Sequence, residues 1–335
     1  MRRSTPPSFF AFLLALGVLS GPAHPAQAAG PWVLQASGVE DRLSDVTFVS
    51  NRVGWAVGWN NTILHTADGG KTWRRQVERK ADGPALHTVL FTGQKTGWAS
   101  TDILGTILHT ADGGKTWAEV PLPHPGDAGK SFCRVAAVGD EFILQYAVYV
   151  FHTADAGKTW TRRTNKFPLG GDIGDMWFTG AATGWAVGGS GKLAVTTDGG
   201  KTWEEHRLPA KEATGTATRT RFADLRTGWV LPYYGTIHRT SDGGKTWEVR
   251  DLGHGRAYPL LNLHFADGKL GHVLVLGNNT VGEVRRTTDG AKTWMLLGRL
   301  RNPSYVYGLS FPDADHGWVV GDKGYIEHYR GPGAK

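Results

Sequence analysis

Cysteine is nearly missing from this chain. Cys133 is the single one in 335 residues, so an internal disulfide is excluded and stability must come from core burial. A chain of this length with 40% hydrophobic residues can supply it. Cys133 sits in the apolar run SFCRVAAV (131–138), where a buried, inert thiol is expected rather than a nucleophile.

Long apolar runs are missing too, with one exception near the start. Phe9–Leu19 (FFAFLLALGVL) is too short to cross a bilayer. Arg2 and Arg3 precede it and Ala26-Gln27-Ala28 follows, so residues 1–28 read as a secretory signal peptide. Cleavage there leaves 335 − 28 = 307 residues, 29–335, expected to form a single domain. No cysteine stands at the end of the run or at the cleavage site, so a lipoprotein anchor is not expected. The product should be soluble, exported, monomeric and without an integral membrane span, whether periplasmic, extracellular or in a thylakoid lumen.

Clustered cations are a third absence. Lys and Arg number 37 against 30 Asp and Glu, a formal +7 that becomes 7 − 2 = +5 without Arg2 and Arg3. Spread thinly, this excess favours acidic partners weakly and argues against nucleic acid. Helical periodicity is a fourth: no segment sustains it.

What the chain has is a repeat. TADGGKTW occupies Thr66–Trp73 and returns as Thr110–Trp117, then as TADAGKTW (Thr153–Trp160), TTDGGKTW (Thr196–Trp203), TSDGGKTW (Thr240–Trp247) and TTDGAKTW (Thr287–Trp294). Its aspartates are Asp68, Asp112, Asp155, Asp198, Asp242 and Asp289, at steps of 44, 43, 43, 44 and 47 residues. A period of this size marks a propeller or solenoid. In each copy the carboxylate should bond the buried N–H groups of a tight turn while glycine takes positive φ. The closing tryptophan (Trp73, Trp117, Trp160, Trp203, Trp247, Trp294) should plug the underside. Calcium loops need several oxygen ligands at alternate positions. One carboxylate per copy does not meet that need, so neither a metal nor a cofactor is expected.

A second element keeps the same period. Gly-Trp pairs stand at 54–55, 97–98, 184–185, 228–229 and 317–318, with Gly271-His272 and Gly139-Asp140 filling two gaps, which makes seven units. Six residues before the glycine stands Phe48, Phe91, Phe178, Phe222, Phe265 or Phe311; in the third unit Cys133 or Val135 falls near that slot. One unit reads as strands over Asp45–Val49, Gly54–Gly58, Thr62–Thr66 and Trp73–Val77. Four antiparallel strands per unit make a propeller blade, and the expected fold is an all-β, seven-bladed β-propeller. The seventh unit lacks its Asp turn and fourth strand. Pro31–Ala36 (PWVLQA), with Trp32 in the role of Trp73, should supply that strand, close the ring and hide an open edge.

The TxDGGKTW unit is the Asp-box, or bacterial neuraminidase repeat. Joined to the GWAVG strand before it, it resembles the photosystem II assembly and stability factor family of lumenal seven-bladed propellers, over essentially the whole of 29–335. The resemblance implies a non-enzymatic assembly factor that holds a membrane-protein partner at the lumenal or periplasmic face.

Binding residues are sought where the inner strands converge on the axis. Three residues before the phenylalanine come Asp45, Thr88, Asp175, Arg219, Asn262 and Gly308, with Arg134 nearby. Arg221, Tyr305 and Tyr307 stand around them, and loops to the same face carry Trp59, Tyr233, Tyr234, Arg256 and Arg301. Arg and Tyr on a rigid concave face are anchor types for protein partners. The candidate set is Arg219, Arg221, Arg256, Tyr233, Tyr234, Arg134, Asp175, Tyr305 and Tyr307. Lys71, Lys115, Lys158, Lys201, Lys245 and Lys292 should solvate the turns of the opposite face. His65, His109 and His152 share one slot in different blades, too far apart to ligate one metal.

A glycan-binding or sialidase-like hydrolase is the alternative. Sialidases need three convergent arginines and a Tyr/Glu pair, whereas Arg219, Arg221 and Arg256 come from neighbouring segments, and no Arg-Ile-Pro strand is present. Two carboxylates facing one cleft would be needed for other glycosidases, and Asp45 and Asp175 are the candidates. No catalytic residue is assigned.

Overall fold

The computed structural model describes residues 31–101, 106–122, 134–138, 141–146, 149–164, 167–170, 173–209, 217–232, 236–252, 259–276, 281–301 and 305–333. Twenty-eight strands, β1 to β28 in chain order, form seven four-stranded antiparallel sheets. Blade 1 is β2 (Leu43–Phe48), β3 (Gly54–Gly58), β4 (Thr62–Thr66) and β5 (Arg74–Arg75). Blades 2 to 6 repeat that order from the axis outward. Blade 7 is β26 (Val306–Ser310), β27 (His316–Gly321), β28 (Ile326–Arg330) and then β1 (Trp32–Gln35), which pairs antiparallel with β28. The N-terminal strand therefore closes the ring.

The first inner strand begins two residues earlier than the sequence pattern predicts and ends at Phe48, because Val49 donates its N–H to Val53 O and opens the turn. The fourth strand of blade 1 pairs over only Arg74–Arg75, since Trp73 turns under the sheet. There its ring meets Phe48 edge-on at 5.8 Å.

Blade-to-blade packing follows one rule. Where the next blade has its phenylalanine, the tryptophan of the Gly-Trp pair lies flat on it: Trp185 on Phe222 at 3.6 Å, Trp229 on Phe265 at 3.5 Å, Trp318 on Phe48 at 3.5 Å. The glycine is required because the phenylalanine of its own blade lies over it; a Cβ on Gly54 would sit 2.6 Å from the Phe48 ring. In blade 6 His272 takes the tryptophan's place, stacked on Phe311 at 3.6 Å.

Blade 3 corrects the sequence alignment. Its strands are β10 (Arg134–Val138), β11 (Glu141–Tyr146), β12 (Tyr149–Thr153) and β13 (Thr161–Thr164). Phe142 pairs with Thr153 as Gly54 pairs with Thr66, and Ala137 stands opposite Phe142 as Phe48 stands opposite Gly54. The Gly-Trp positions are thus Phe142-Ile143, not Gly139-Asp140, and the phenylalanine slot is Ala137, not Cys133 or Val135. Large and small have changed strands, and Trp98 meets Phe142 at 4.4 Å. Cys133, Gly139 and Asp140 lie outside the described residues, as does the segment expected to be a signal peptide.

The Asp turns work differently from the sequence expectation in one respect. Gly69 and Gly70 take φ of +76° and +80° as expected. The buried N–H of Gly70, however, donates to the Thr66 hydroxyl at 2.8 Å, and that hydroxyl donates to Asp68 Oδ1 at 2.9 Å. The carboxylate itself accepts the exposed Thr72 N–H and hydroxyl at 2.9 and 2.7 Å. Threonine satisfies the interior of the turn, and aspartate orients threonine. The closing tryptophans after Trp73 are only partly buried.

Candidate partner-binding face

Hairpins β2–β3 and β4–β5 turn at one face of blade 1, called lower here, where Gly69 N–H donates to Arg52 O. The upper face carries the starts of the inner strands and the β3–β4 turn. The six Asp-turn lysines belong to the lower face.

Every inner strand with a described start carries a register shift just before the same position. These shifts fall between Leu43 and Asp45, Leu86 and Thr88, Ile173 and Asp175, Ala217 and Arg219, Leu260 and Asn262, and Val306 and Gly308. Bulges interrupt the ladder and re-aim the side chain that follows. The resulting ring is Asp45, Thr88, Arg134, Asp175, Arg219, Asn262 and Gly308. Arg134, placed only nearby by its sequence, belongs in the ring by register, since it pairs with Gln145 as Asp45 pairs with Val57.

Ring side chains also join blades. Asp45 Oδ2 accepts the Val89 N–H of blade 2, and Asp175 Oδ2 accepts the Thr220 N–H of blade 5, both at 3.0 Å. Asn262 Nδ2 donates to Tyr307 O of blade 7 at 3.0 Å. Asp175 also pairs with Arg221 Nη1 at 2.6 Å, and the Arg221 guanidinium lies 4.7 Å from the centre of the Trp177 ring. Asp175 and Arg221 therefore satisfy one another within the fold. Burial pushes the Asp45 carboxyl up, opposed by the charges of Arg219 and Arg221. Burial, aided by Arg221, pushes the His264 imidazole down to about 4. Tyr233, Tyr234 and Arg256 lie outside the described residues.

The structure adds a cluster where blades 7 and 1 meet. The Arg42 guanidinium sits 3.7 Å over the Tyr307 ring and 5.2 Å from that of Trp59. Its Nε lies 4.0 Å from Asp322 Oδ1, to which Tyr307 OH donates at 3.2 Å. Burial and the Asp322 carboxylate push the Tyr307 phenol up to about 12, although Arg42 opposes them. Trp59 and Tyr305 flank the group, 46% and 53% exposed. Below it Asp41 accepts from Asn60, Thr62, Arg75 and Arg79. Burial alone would raise the Asp41 carboxyl, yet these bonds take it down to about 2. Sequence reasoning chose Tyr305 and Tyr307 but missed Arg42. No local pattern marks Arg42, whose partner Tyr307 is 307 − 42 = 265 residues away.

The histidines that share one slot stay in their own blades. His65 packs on Trp55 and His109 on Trp98, at 5.1 and 4.3 Å, and His152 Nε2 lies 2.6 Å from Glu141 Oε2. Arg301 pairs at 3.6 Å with Glu327, a fully buried carboxylate that also accepts from Tyr325 OH at 2.6 Å.

A family model described as the photosynthesis system II assembly factor YCF48 matches residues 24–165 and 162–247. The photosystem II assembly lipoprotein Ycf48 of Synechococcus sp. (strain RCC307) is 35% identical over 99 residues, 26% of this chain and 29% of the relative. The match thus spans under a third of that relative's length. A solved structure of YCF48 bound to D1 peptide aligns with a TM-score of 0.71 at 24% identity, covering 91% of this chain and 99% of that one. A streptogramin B lyase aligns with a TM-score of 0.70 at 15% identity over 89% of this chain and 96% of its own. At these identities the solved structures speak to the fold alone.

Proposed function

The chain belongs to the YCF48 family of photosynthesis system II assembly factors, and from that premise we infer that it is an exported, non-catalytic propeller that holds a segment of a membrane-protein partner on its upper face. Residues 1–28 are its export signal and 29–335 its working domain. The carrying observation is the Arg42–Tyr307 stack flanked by exposed Trp59 and Tyr305. Tryptophan, tyrosine and arginine are the residue types that dominate binding energy at protein interfaces. Ring arginine Arg219 offers the same face a cation for a carboxylate-bearing segment, and Arg134 holds the equivalent backbone register in blade 3. Tyr233, Tyr234 and Arg256, outside the described residues, remain candidates for the same site by sequence alone. Arg221 and Asp175 act as its internal support.

Hydrolysis of glycans fits less well. A tyrosine–glutamate pair is present in Tyr325 and Glu327, but burial and the glutamate's hydrogen bond push the Tyr325 phenol up, the wrong direction for a nucleophile.

A peptide of the kind named in the related complex, a D1 peptide, tests the reading by fluorescence anisotropy. Tyr305→Ala and Arg219→Glu should each weaken its binding tenfold or more, about 1.4 kcal/mol. The lower-face pair Lys71→Glu with Lys115→Glu should leave it unchanged. Loss of binding in the lower-face pair alone would move the site to the other face. Turnover on a panel of fluorogenic glycosides would overturn the non-catalytic reading.

A further inference from the structure

A cleft of about 580 Å³ opens between the outer parts of blades 3 and 4, away from the upper face, and is lined by His152, Thr161, Arg162, Arg163 and Lys201. Its charge is unbalanced. Several arginines of other outer strands have carboxylate partners: Arg75 with Asp41 at 3.1 Å, Arg207 with Glu205 at 3.7 Å, Arg299 with Glu283 at 2.9 Å. Among the described residues no carboxylate lies within ion-pair distance of Arg162, Arg163 or Lys201. Glu141 is bonded to His152, and the Asp198 carboxylate is taken up by Thr196, Thr202 and the Lys201 N–H.

The two arginines share the cleft because of a backbone irregularity. Neighbouring residues of a regular strand point to opposite faces. In β13, Arg162 pairs with Phe151 and Thr164 with Val150, which leaves Arg163 as an extra residue in a bulge. A bulge is a recognised way to re-aim a side chain. Arg163 then reaches the Asp turn of blade 4, its Nη1 3.1 Å from where a Cβ on Gly199 would sit. At the equivalent place in their own strands Gln35 and Gln76 reach the next turn as neutral amides, bonding Gly69 O and Gly113 O. Blade 3 puts a cation there instead.

We propose that this cleft is a binding site for a phosphate-bearing anion. The Arg162 guanidinium has the Tyr149 ring as its partner at 5.7 Å, and Glu141 is bonded to His152. Three cations from two blades thus converge with no carboxylate of the described residues in ion-pair distance of any of them, and they repel one another. A tetrahedral oxyanion carrying up to two charges relieves that repulsion, and a guanidinium binds two of its oxygens at once. Thr161 supplies a hydroxyl donor at the rim. The volume lies in the range of small-molecule sites and exceeds what a lone ion fills. The source of the phosphate is either a soluble molecule or a phospholipid headgroup, and the two are separable by experiment.

Purified full-length chain is melted in inorganic phosphate and in chloride at equal ionic strength. It is compared with Arg162→Gln/Arg163→Gln, with Lys201→Gln, and with a control pair from blade 1, Lys71→Gln/Arg74→Gln. Phosphate stabilises most proteins by exclusion, so the difference between variants is the readout. The wild type and the control should gain about 2–4 °C more than either cleft variant. Flotation with phosphatidylglycerol vesicles, against phosphatidylcholine alone, assigns the source. Flotation lost in the cleft variants and kept in the control identifies a headgroup; a phosphate-specific shift without flotation identifies a soluble phosphate. Equal thermal shifts in all four proteins, with flotation absent or unaffected by the cleft variants, would overturn the proposal.

Discussion

Trp55 of blade 1 lies flat on Phe91 of blade 2, with ring centres 3.5 Å apart and planes 7° from parallel. Its indole N–H also donates to Gly113 O in the Asp turn of blade 2, at 3.1 Å. One side chain therefore couples three elements: its own second strand, the next blade's inner strand and the next blade's turn. Trp185 and Trp229 make the same bond to Gly243 O and Gly290 O. The two repeated motifs of the sequence, seemingly separate, are halves of one joint.

Blade 3 allows a direct test of that joint. Phe142→Gly should cost roughly 3–5 kcal/mol, because Trp98 loses its facing ring. Ala137→Phe alone should also destabilise, by about 1–3 kcal/mol of overpacking. The double variant restores the arrangement of the other blades and should cost clearly less than the sum of the two. Urea unfolding of the four proteins measures this; strict additivity would contradict the exchanged register.

That exchange also explains where sequence reading stopped. The blade count, strand order and closing strand follow from a period and two motifs. Each is a local pattern, and the pattern is repeated often enough to align. Blade 3 lacks its Gly-Trp pair, so alignment slid to the nearest glycine, Gly139. Arg221 reads as free for a partner in the sequence because its neutraliser, Asp175, stands one whole blade earlier, 46 residues away. The Arg163 bulge leaves no trace in composition, since a register shift exists only between two strands.

Stability should fall in two stages on acidification. His328 and His264 are pushed down to about 3 and about 4, chiefly by burial. The unfolded chain protonates them near 6.5 while the folded chain does not, so stability declines as pH falls from about 6.5 to about 4. In Asp112, Asp155 and Asp289 the hydroxyls and N–H groups of Thr116, Thr159 and Thr293 hold the carboxyls at about 2. Their contribution is complete above about 4 and is lost as pH falls towards 2. Calorimetry from pH 7 to 3 should show both slopes, and His328→Phe should flatten the first. A melting temperature constant from pH 6.5 to 4 would contradict the histidine assignment.

Removal of residues 29–38 should destabilise the protein by more than a surface deletion would. It takes away Trp32, 1% exposed, and the Gln35 amide that bonds Gly69 O and receives Trp73 Nε1–H. Loss of the indole alone is worth roughly 3–5 kcal/mol. Trp32→Ala should reproduce much of the effect. A truncated protein melting within about 1–2 °C of its parent, a shift worth under roughly 1 kcal/mol for a domain this large, would contradict closure by this strand.

The pairing of Trp32 with Tyr329 spans 329 − 32 = 297 residues. Ribosomes release the first of these partners long before the second exists. Six blades can assemble from neighbouring hairpins while β1 waits with its backbone groups unpaired, and only completion of β28 gives it somewhere to go. Any chain interrupted before Ile326 keeps a bare strand at one end and an open sheet at the other, both templates for mispairing and footholds for proteases. The seam of the ring thus serves as a check on synthesis: only a polypeptide that reaches β28 can cover its own first strand.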